Sequence, residues 1–300
     1  MAEAVLLWLA FAIRPDAALN SRIQEIARGI DGRVGVAARV VETGESASFR
    51  ANDRFPMESV CKLPIALTVL ADVDYGDLTL DETIRVLPAD LVPPGMHSPL
   101  RDQNPYGTKI SIRKLLEFAI QQSDGSASDV LLRLAGGPAR VSGHAHKLGA
   151  TGMVVQETES AIGRSDAAGY RNWSTPAASI SLLESLHHGK GLSPASRDLL
   201  LKWLATSSTS IHRIQGMLPE GTTVAHKTGT SGTEHGFTRG TNDIGLVTLP
   251  NGRHLAIAVF IADSHASEAA REAAIAQIGK AAWDRWTGPY SVPTHHPDVP

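Results

Sequence analysis

The spacing of apolar positions changes character twice along the chain. Residues 18–28 place Leu19, Ile23, Ile26 and Ala27 on one face and stop at Gly29, the pattern of a short amphipathic helix. Residues 34–41 and 46–49 are β-branched or alternating around Thr43-Gly44 and predict a hairpin. From Ser59 the period becomes helical, with helices expected over 63–73, 112–121, 128–134, 177–186 and 194–204. Strand texture returns at 222–229, 243–249 and 254–262, and 267–286 reads as a long closing helix. Strands at both ends with helices between them suggest one α/β lobe assembled from the two chain ends, with a helical middle inserted. The expected division is a composite lobe over 18–61 and 207–287, an all-helical lobe over 62–206, and a proline-rich disordered tail over 288–300. A cleft between two such lobes is the usual place for a small-molecule site.

Composition changes this picture little. Of 300 residues, 42% are hydrophobic and 20% charged, which is enough apolar material for a large core or two lobes sharing one. A formal net charge of -3 and the lack of a long basic run argue against nucleic acid or an acidic membrane as partner. Cys61 is the only cysteine, so no intrachain disulfide and no CxxC site can form. Residues 4–13 are apolar and too short to span a bilayer. With the rest of residues 1–17 they read either as a secretory signal, although the preceding Met-Ala-Glu carries no basic residue, or as an N-terminal helix packed on the body.

Three short motifs carry chemistry. Ser59-Val60-Cys61-Lys62 opens a helix, and a spacing of three puts Lys62 one turn from Ser59 on the same face. A serine in a first helical turn sits in the positive field of the helix, and a lysine of lowered pKa beside it can accept its proton. Ser111-Ile112-Arg113-Lys114 repeats the spacing, but there Ser111 reads as a helix N-cap. Ser123-Asp124-Gly125 follows a helix, and Lys227-Thr228-Gly229 lies in a strand. Each triplet alone has a structural reading, as a helix cap and as a strand end. Together and in this order they match Ser-x-x-Lys, Ser-Asp-Asn and Lys-Thr-Gly, the signature shared by class A β-lactamases and penicillin-binding proteins.

On these residues the chain resembles a class A serine β-lactamase from about Ala18 to Trp286. The stretch after the third motif, VAHKTGTSGTEHGFTRGTNDIGLVTLPNGRHLAIAVF, resembles the family beyond the triplet, and GYRNWST at 169–175 resembles its PER-like extended-spectrum branch. The resemblance implies a two-lobed α/β (α+β) fold, an antiparallel sheet flanked by helices plus the helical lobe. It implies hydrolysis of penicillins and cephalosporins through an acyl-enzyme, by a monomer in the periplasm or outside the cell, and hence antibiotic resistance. Ser59 is then the nucleophile, and its N–H with that of Thr230 forms the oxyanion hole. Lys62 and a deacylating glutamate share the acylation proton, and Ser123 and Lys227 pass a proton to the departing ring nitrogen. Thr228, Gly229, Thr230, Arg213 and Gly125 belong to the substrate-binding set. Arg213 is assigned because it lies 14 residues before Lys227, where some members place the cation that holds the substrate carboxylate.

The glutamate separates hydrolase from peptidase, because an acyl-enzyme needs a carboxylate base to activate its water. Glu159 lies 36 residues after Ser123 and 68 before Lys227, as the family's deacylating residue does, and Glu157 misses by two at both ends. Four positions depart from the family pattern. Gly125 and Gly163 stand where asparagines usually grip the substrate and the water, and Glu157 and Asn172 stand where an Arg and an Asp usually staple the loop. A D-Ala-D-Ala peptidase and a β-lactam sensor that stays acylated therefore remain alternatives. No cofactor is implied. No metal is expected, with the pairs His144/His146, His187/His188 and His295/His296 read as solvent-facing loop or tail residues. Trp173, Trp203, Trp283 and Trp286 fit core or lobe-interface packing.

Overall fold

The computed structural model describes residues 15–209 and 211–288. The apolar run at 4–13 and the tail from 289 onward lie outside them.

The centre of the molecule is an antiparallel sheet. Its strands run in the order Ser46–Phe49, Arg33–Val40, His254–Ser264, Phe237–Thr248, Val224–Thr230, and Thr233–Glu234 pairs with the start of Phe237–Thr248. The strand His254–Ser264 is apolar at almost every position because both of its faces are covered. Leu255, Ile257, Val259 and Ile261 face the helices Ala17–Arg28 and Glu268–Thr287. Ala256, Ala258, Phe260 and Ala262 face the second, larger core. Alanines on that side let helices approach the sheet closely.

The helix Lys62–Tyr75 is the axis of the second core. It is buried on all sides from Lys62 to Asp72, as expected of a helix without a polar face, and Gly76 ends it in the left-handed conformation. Around it lie Ile112–Gln121, Gly125–Leu134, Pro138–Lys147, Pro176–His187 and Pro194–Ala205. Ser111 caps Ile112–Gln121, accepting from the Lys114 N–H. The helix Pro138–Lys147 has no counterpart in the sequence reading, because its apolar positions are few: only Val141 and Ala145 are buried. The middle of the chain is also not wholly helical. Thr83–Val86 pairs with Thr108–Ser111, and Phe55–Pro56, Trp173–Ser174 and Met153–Val154 form a small second sheet. These strands are two to four residues long, too short for alternation to register.

Trp203, Trp283 and Trp286 are buried, whereas Trp173 is half-buried under the Arg54 guanidinium, 4.0 Å from its ring centre. Among the described residues no helix is long and apolar enough to cross a membrane.

Candidate active site

The chain leaves the strand Phe55–Pro56 through a tight turn, Glu58–Cys61, before the helix Lys62–Tyr75 begins. Ser59 therefore sits in a 3-10 turn ahead of the α-helix, and its N–H is of the kind such a turn leaves without a partner inside the helix. Glu58, just before it, is held at φ 49, a left-handed backbone that a side chain disfavours. Its buried carboxylate receives both arms of Arg239, at 2.8 and 3.1 Å, and Arg239 reaches on to Asp166 at 3.2 Å. Burial raises the Glu58 pKa in spite of this partner. The pair ties the Ser59 turn to the strand Phe237–Thr248 and to the loop turn Asp166–Gly169. No motif in the sequence marks either residue.

One helical turn on, the Lys62 ammonium is 1% exposed and donates to Ser59 Oγ at 2.6 Å and to Glu159 Oε1. Burial alone lowers a lysine pKa, but the Glu159 carboxylate outweighs it and holds Lys62 above its ordinary value. This corrects the expectation of a lysine with lowered pKa next to the serine. The lowered lysine is Lys227: burial first, then the charge of Lys62, brings it down to about 7.

Lys227, fully buried, donates to Ser123 Oγ at 2.9 Å and to the Thr228 carbonyl at 3.0 Å. Ser123 is held at φ 57. The reason is its neighbour Asp124, whose carboxylate caps Gly125–Leu134 through the Ala127 N–H and also receives the Leu100 N–H and the Ser98 hydroxyl. Asp124 is thus a buried anchor that aims Ser123 at Lys227. Gly125, the first residue of that helix, donates its N–H to His97 O at 3.1 Å. Gly229 is required by close approach, since a Cβ there would lie 2.5 Å from Met57 O and 3.2 Å from Ser59 N. The strand Val224–Thr230 is thereby pressed against the Ser59 turn. Thr228 Oγ1 donates to Thr209 Oγ1 at 2.8 Å, a partner the sequence reading missed.

Arg213 is 2% exposed. Its guanidinium donates to Gly229 O, Asn242 O, Glu272 Oε1 and, at 2.7 Å, Thr230 Oγ1. Most of its donors are therefore spent on the protein. It stands behind the strand, and its pull on an anion passes through the Thr230 hydroxyl.

Of the two competing glutamates, only Glu159 meets Lys62, which in turn holds Ser59. Glu157 accepts from Arg171 at 2.7 Å, away from Ser59. The loop that separates them is stapled without the usual Arg–Asp pair. Asn172 is buried; its Oδ1 accepts from the N–H groups of Gln156 and Glu157 at 2.7 and 2.8 Å, and its Nδ2 donates to Glu157 O. Asp129 accepts from the N–H groups of Glu159 and Ser160 at 2.7 and 2.9 Å. Asn172→Ala leaves two loop N–H groups and a carbonyl without partners. It is expected to lower stability by about 1–3 kcal/mol, read from urea unfolding with an unchanged m-value.

Gly163 closes the far side of the loop. A Cβ there would fall 2.1 Å from Met96 Sδ, so the thioether occupies the space an asparagine side chain would need. The lone Cys61 thiol is buried beside this machinery, and burial pushes it up to about 12, out of range of thiolate chemistry.

Together Ser59, Lys62, Ser123, Glu159 and Thr230 line a cleft of about 680 Å³, with Tyr170 and Phe237 at its rim. Such a volume suits a small molecule. The cleft offers a hydroxyl nucleophile, a carboxylate base joined to it through an ammonium, and a second hydroxyl–lysine pair on the opposite wall. This set suits acyl transfer. Among the described residues, the one group of His, Cys, Asp and Glu close enough to share a metal ion is Glu42, His187 and His254, none of which lines the cleft.

The match to known proteins covers the same span as the fold. The model of the family described as "Beta-lactamase enzyme family" matches residues 18–286. The chain is 35% identical over 270 residues to β-lactamase VEB-1 of Pseudomonas aeruginosa, covering 89% of each chain. It is 35% identical over 265 residues to the extended-spectrum β-lactamase PER-1 of the same organism, covering 88% of this chain and 86% of that one. The crystal structure of a β-lactamase from Chitinophaga pinensis superposes with a TM-score of 0.87 at 42% identity, covering 89% of this chain and 99% of that chain.

Proposed function

This chain belongs to the β-lactamase enzyme family, and from that premise we propose that it hydrolyses penicillins and cephalosporins as a class A serine enzyme, through an acyl-enzyme on Ser59. The observation that carries the mechanism is the chain Ser59 Oγ, Lys62 Nζ, Glu159 Oε1.

In acylation Ser59 Oγ attacks the lactam carbonyl carbon. With Lys62 held protonated, the final acceptor of the serine proton is Glu159, reached across the Lys62 ammonium. The N–H groups of Ser59 and Thr230 receive the developing oxyanion, the Ser59 turn adding its helical field. As the C–N bond breaks, Ser123 gives its proton to the ring nitrogen and recovers one from Lys227, whose pKa of about 7 suits it to both states. The proton that Glu159 holds after acylation passes to Lys227, which gave one up, and restores both groups. In deacylation the ionised Glu159 takes a proton from water, the hydroxide attacks the ester, and Ser59 leaves with that proton returned through Lys62. The net reaction adds one water across the amide bond. Thr228, Gly229 and Thr230, with Lys227 and Arg213 behind them, form the wall proposed for the substrate carboxylate, whereas Gly125 is buried, gives its N–H to His97 O and does not line the cleft, which removes it from the substrate-binding set.

The proposed enzyme acts in the periplasm or outside the cell, a reading supported by the apolar run at 4–13. Glu159 beside Lys62 favours hydrolysis over the peptidase and sensor alternatives, neither of which has to release a bound β-lactam. The test is intact-protein mass over time after mixing with excess benzylpenicillin, with drug loss followed in parallel. Catalytic loss of drug and return to the unmodified mass support the hydrolase. A lasting adduct of one drug molecule would overturn it in favour of a sensor or peptidase.

The Lys227 pKa has a consequence for rate. The free enzyme loses the Lys227 ammonium as pH rises through about 7, so the grip on the drug carboxylate falls in that direction. The expected result is a decline of kcat/KM above pH 7, with the limb in kcat displaced upward because bound carboxylate favours the charged lysine. Lys227→Arg keeps its charge at all these pH values and should flatten the limb.

A further inference from the structure

At the end of the sheet remote from the cleft, three metal-ligating side chains converge. Glu42 lies in the turn between Arg33–Val40 and Ser46–Phe49, His254 opens the strand His254–Ser264, and His187 is the last residue of the helix Pro176–His187. One carboxylate oxygen and one nitrogen from each imidazole all lie within 4.8 Å of one another. His254 Nδ1 is 2.8 Å from Glu42 Oε1, and His187 Nε2 is 3.7 Å from the same oxygen. Ligands at zinc bond lengths and tetrahedral angles stand about 3.3 Å apart, between these two separations. The two contacts to Glu42 Oε1 bracket the zinc spacing, each within about 0.5 Å of it.

The positions are held by backbone. The His254 N–H donates to Glu42 Oε2 at 2.9 Å, and the Val41 N–H to His254 O at 2.8 Å. His187 ends a helix, where the carbonyl ends favour a cation. All three residues keep some exposure, which leaves an entry path and a fourth position for water. Two imidazoles and one carboxylate suit zinc and its neighbours in the first transition row, and not calcium or magnesium.

We propose that Glu42, His187 and His254 bind a divalent cation of the zinc class, clasping the helix Pro176–His187 to the edge of the sheet. This corrects the reading of His187 as a solvent-facing loop residue. Thr230 of the cleft is level with Ile261, seven residues along the strand from His254 and about 23 Å away at the usual rise per residue, so the ion acts on stability and not on hydrolysis.

The experiment is calorimetric titration of the full chain, stripped with EDTA, against zinc chloride at neutral pH. One saturable equivalent per chain is expected. Glu42→Gln and His187→Gln should each weaken binding by about tenfold or more, while the double change of His295 and His296 to glutamine leaves it unaltered. Zinc should raise the melting temperature of the parent and not of His187→Gln, with benzylpenicillin turnover unchanged in both. Glu42 is exposed, so its variant folds even if a histidine variant does not. The proposal is overturned if no saturable binding occurs up to roughly millimolar zinc, if binding survives both substitutions, or if the tail change abolishes it.

Discussion

Glu159→Ala is expected to convert the enzyme into one that reacts once with benzylpenicillin and then holds it. Two effects of the same deletion oppose one another in acylation. The terminal proton acceptor is lost, but so is the charge that keeps the buried Lys62 protonated. Burial then lowers the Lys62 pKa, and the neutral amine, already 2.6 Å from Ser59 Oγ, can take the serine proton itself. Deacylation has no such substitute, because the water loses its base. Turnover should fall by about 10²–10⁴, with the acyl-enzyme persisting in rapid-quench mass spectra. Glu157→Ala removes only a half-exposed pair with Arg171 and should stay within about fivefold of the parent. The opposite ranking of the two variants would show that the base has been assigned to the wrong glutamate.

Ser59→Ala should abolish covalent chemistry altogether. Among the described residues Ser59 is the hydroxyl that Lys62 holds, and the Ser123 hydroxyl is engaged by Lys227. Turnover is expected to drop by at least about 10⁴, with no mass shift on prolonged exposure to drug. The fold should be retained, since Lys62 keeps its ion pair with Glu159. Non-covalent binding should also remain, because Lys227, Thr228 and Thr230 are untouched, and equilibrium dialysis with labelled drug would detect it. An adduct persisting on this variant would refute the nucleophile.

Much of the architecture was legible because its signals are local. The apolar run at 254–262 and the period-3.6 stretch at 112–121 are long enough to declare themselves, and the latter coincides with the helix Ile112–Gln121. Ser111 and Asp124 cap helices by reaching three residues ahead, which sequence neighbours suffice to encode. The helix Pro138–Lys147 and the two-residue strands were not legible, because their burial is supplied by partners distant in the chain. The buried pair Glu58–Arg239 is 181 residues apart in sequence, and nothing local to either residue announces it.

The sequence by itself determined the types of the long, strongly periodic elements, the order of the three motifs and the spacing of Ser59 to Lys62, because covalent connectivity and hydrophobic period dictate them. Its spacings to Ser123 and Lys227 also favoured Glu159 over Glu157 as the base. Only the tertiary structure shows how Glu159 is brought to Lys62, through the staples Asn172 and Asp129 that set the loop's path. It likewise decided that Lys62 is held protonated and that Lys227 is the lysine brought down to about 7. The same holds for Arg213, which stands behind Thr230, and for Glu42, His187 and His254, which face one another. The physical reason is common to all of these. A side chain's charge state and aim depend on burial and on partners through space, and those are fixed only when distant segments pack.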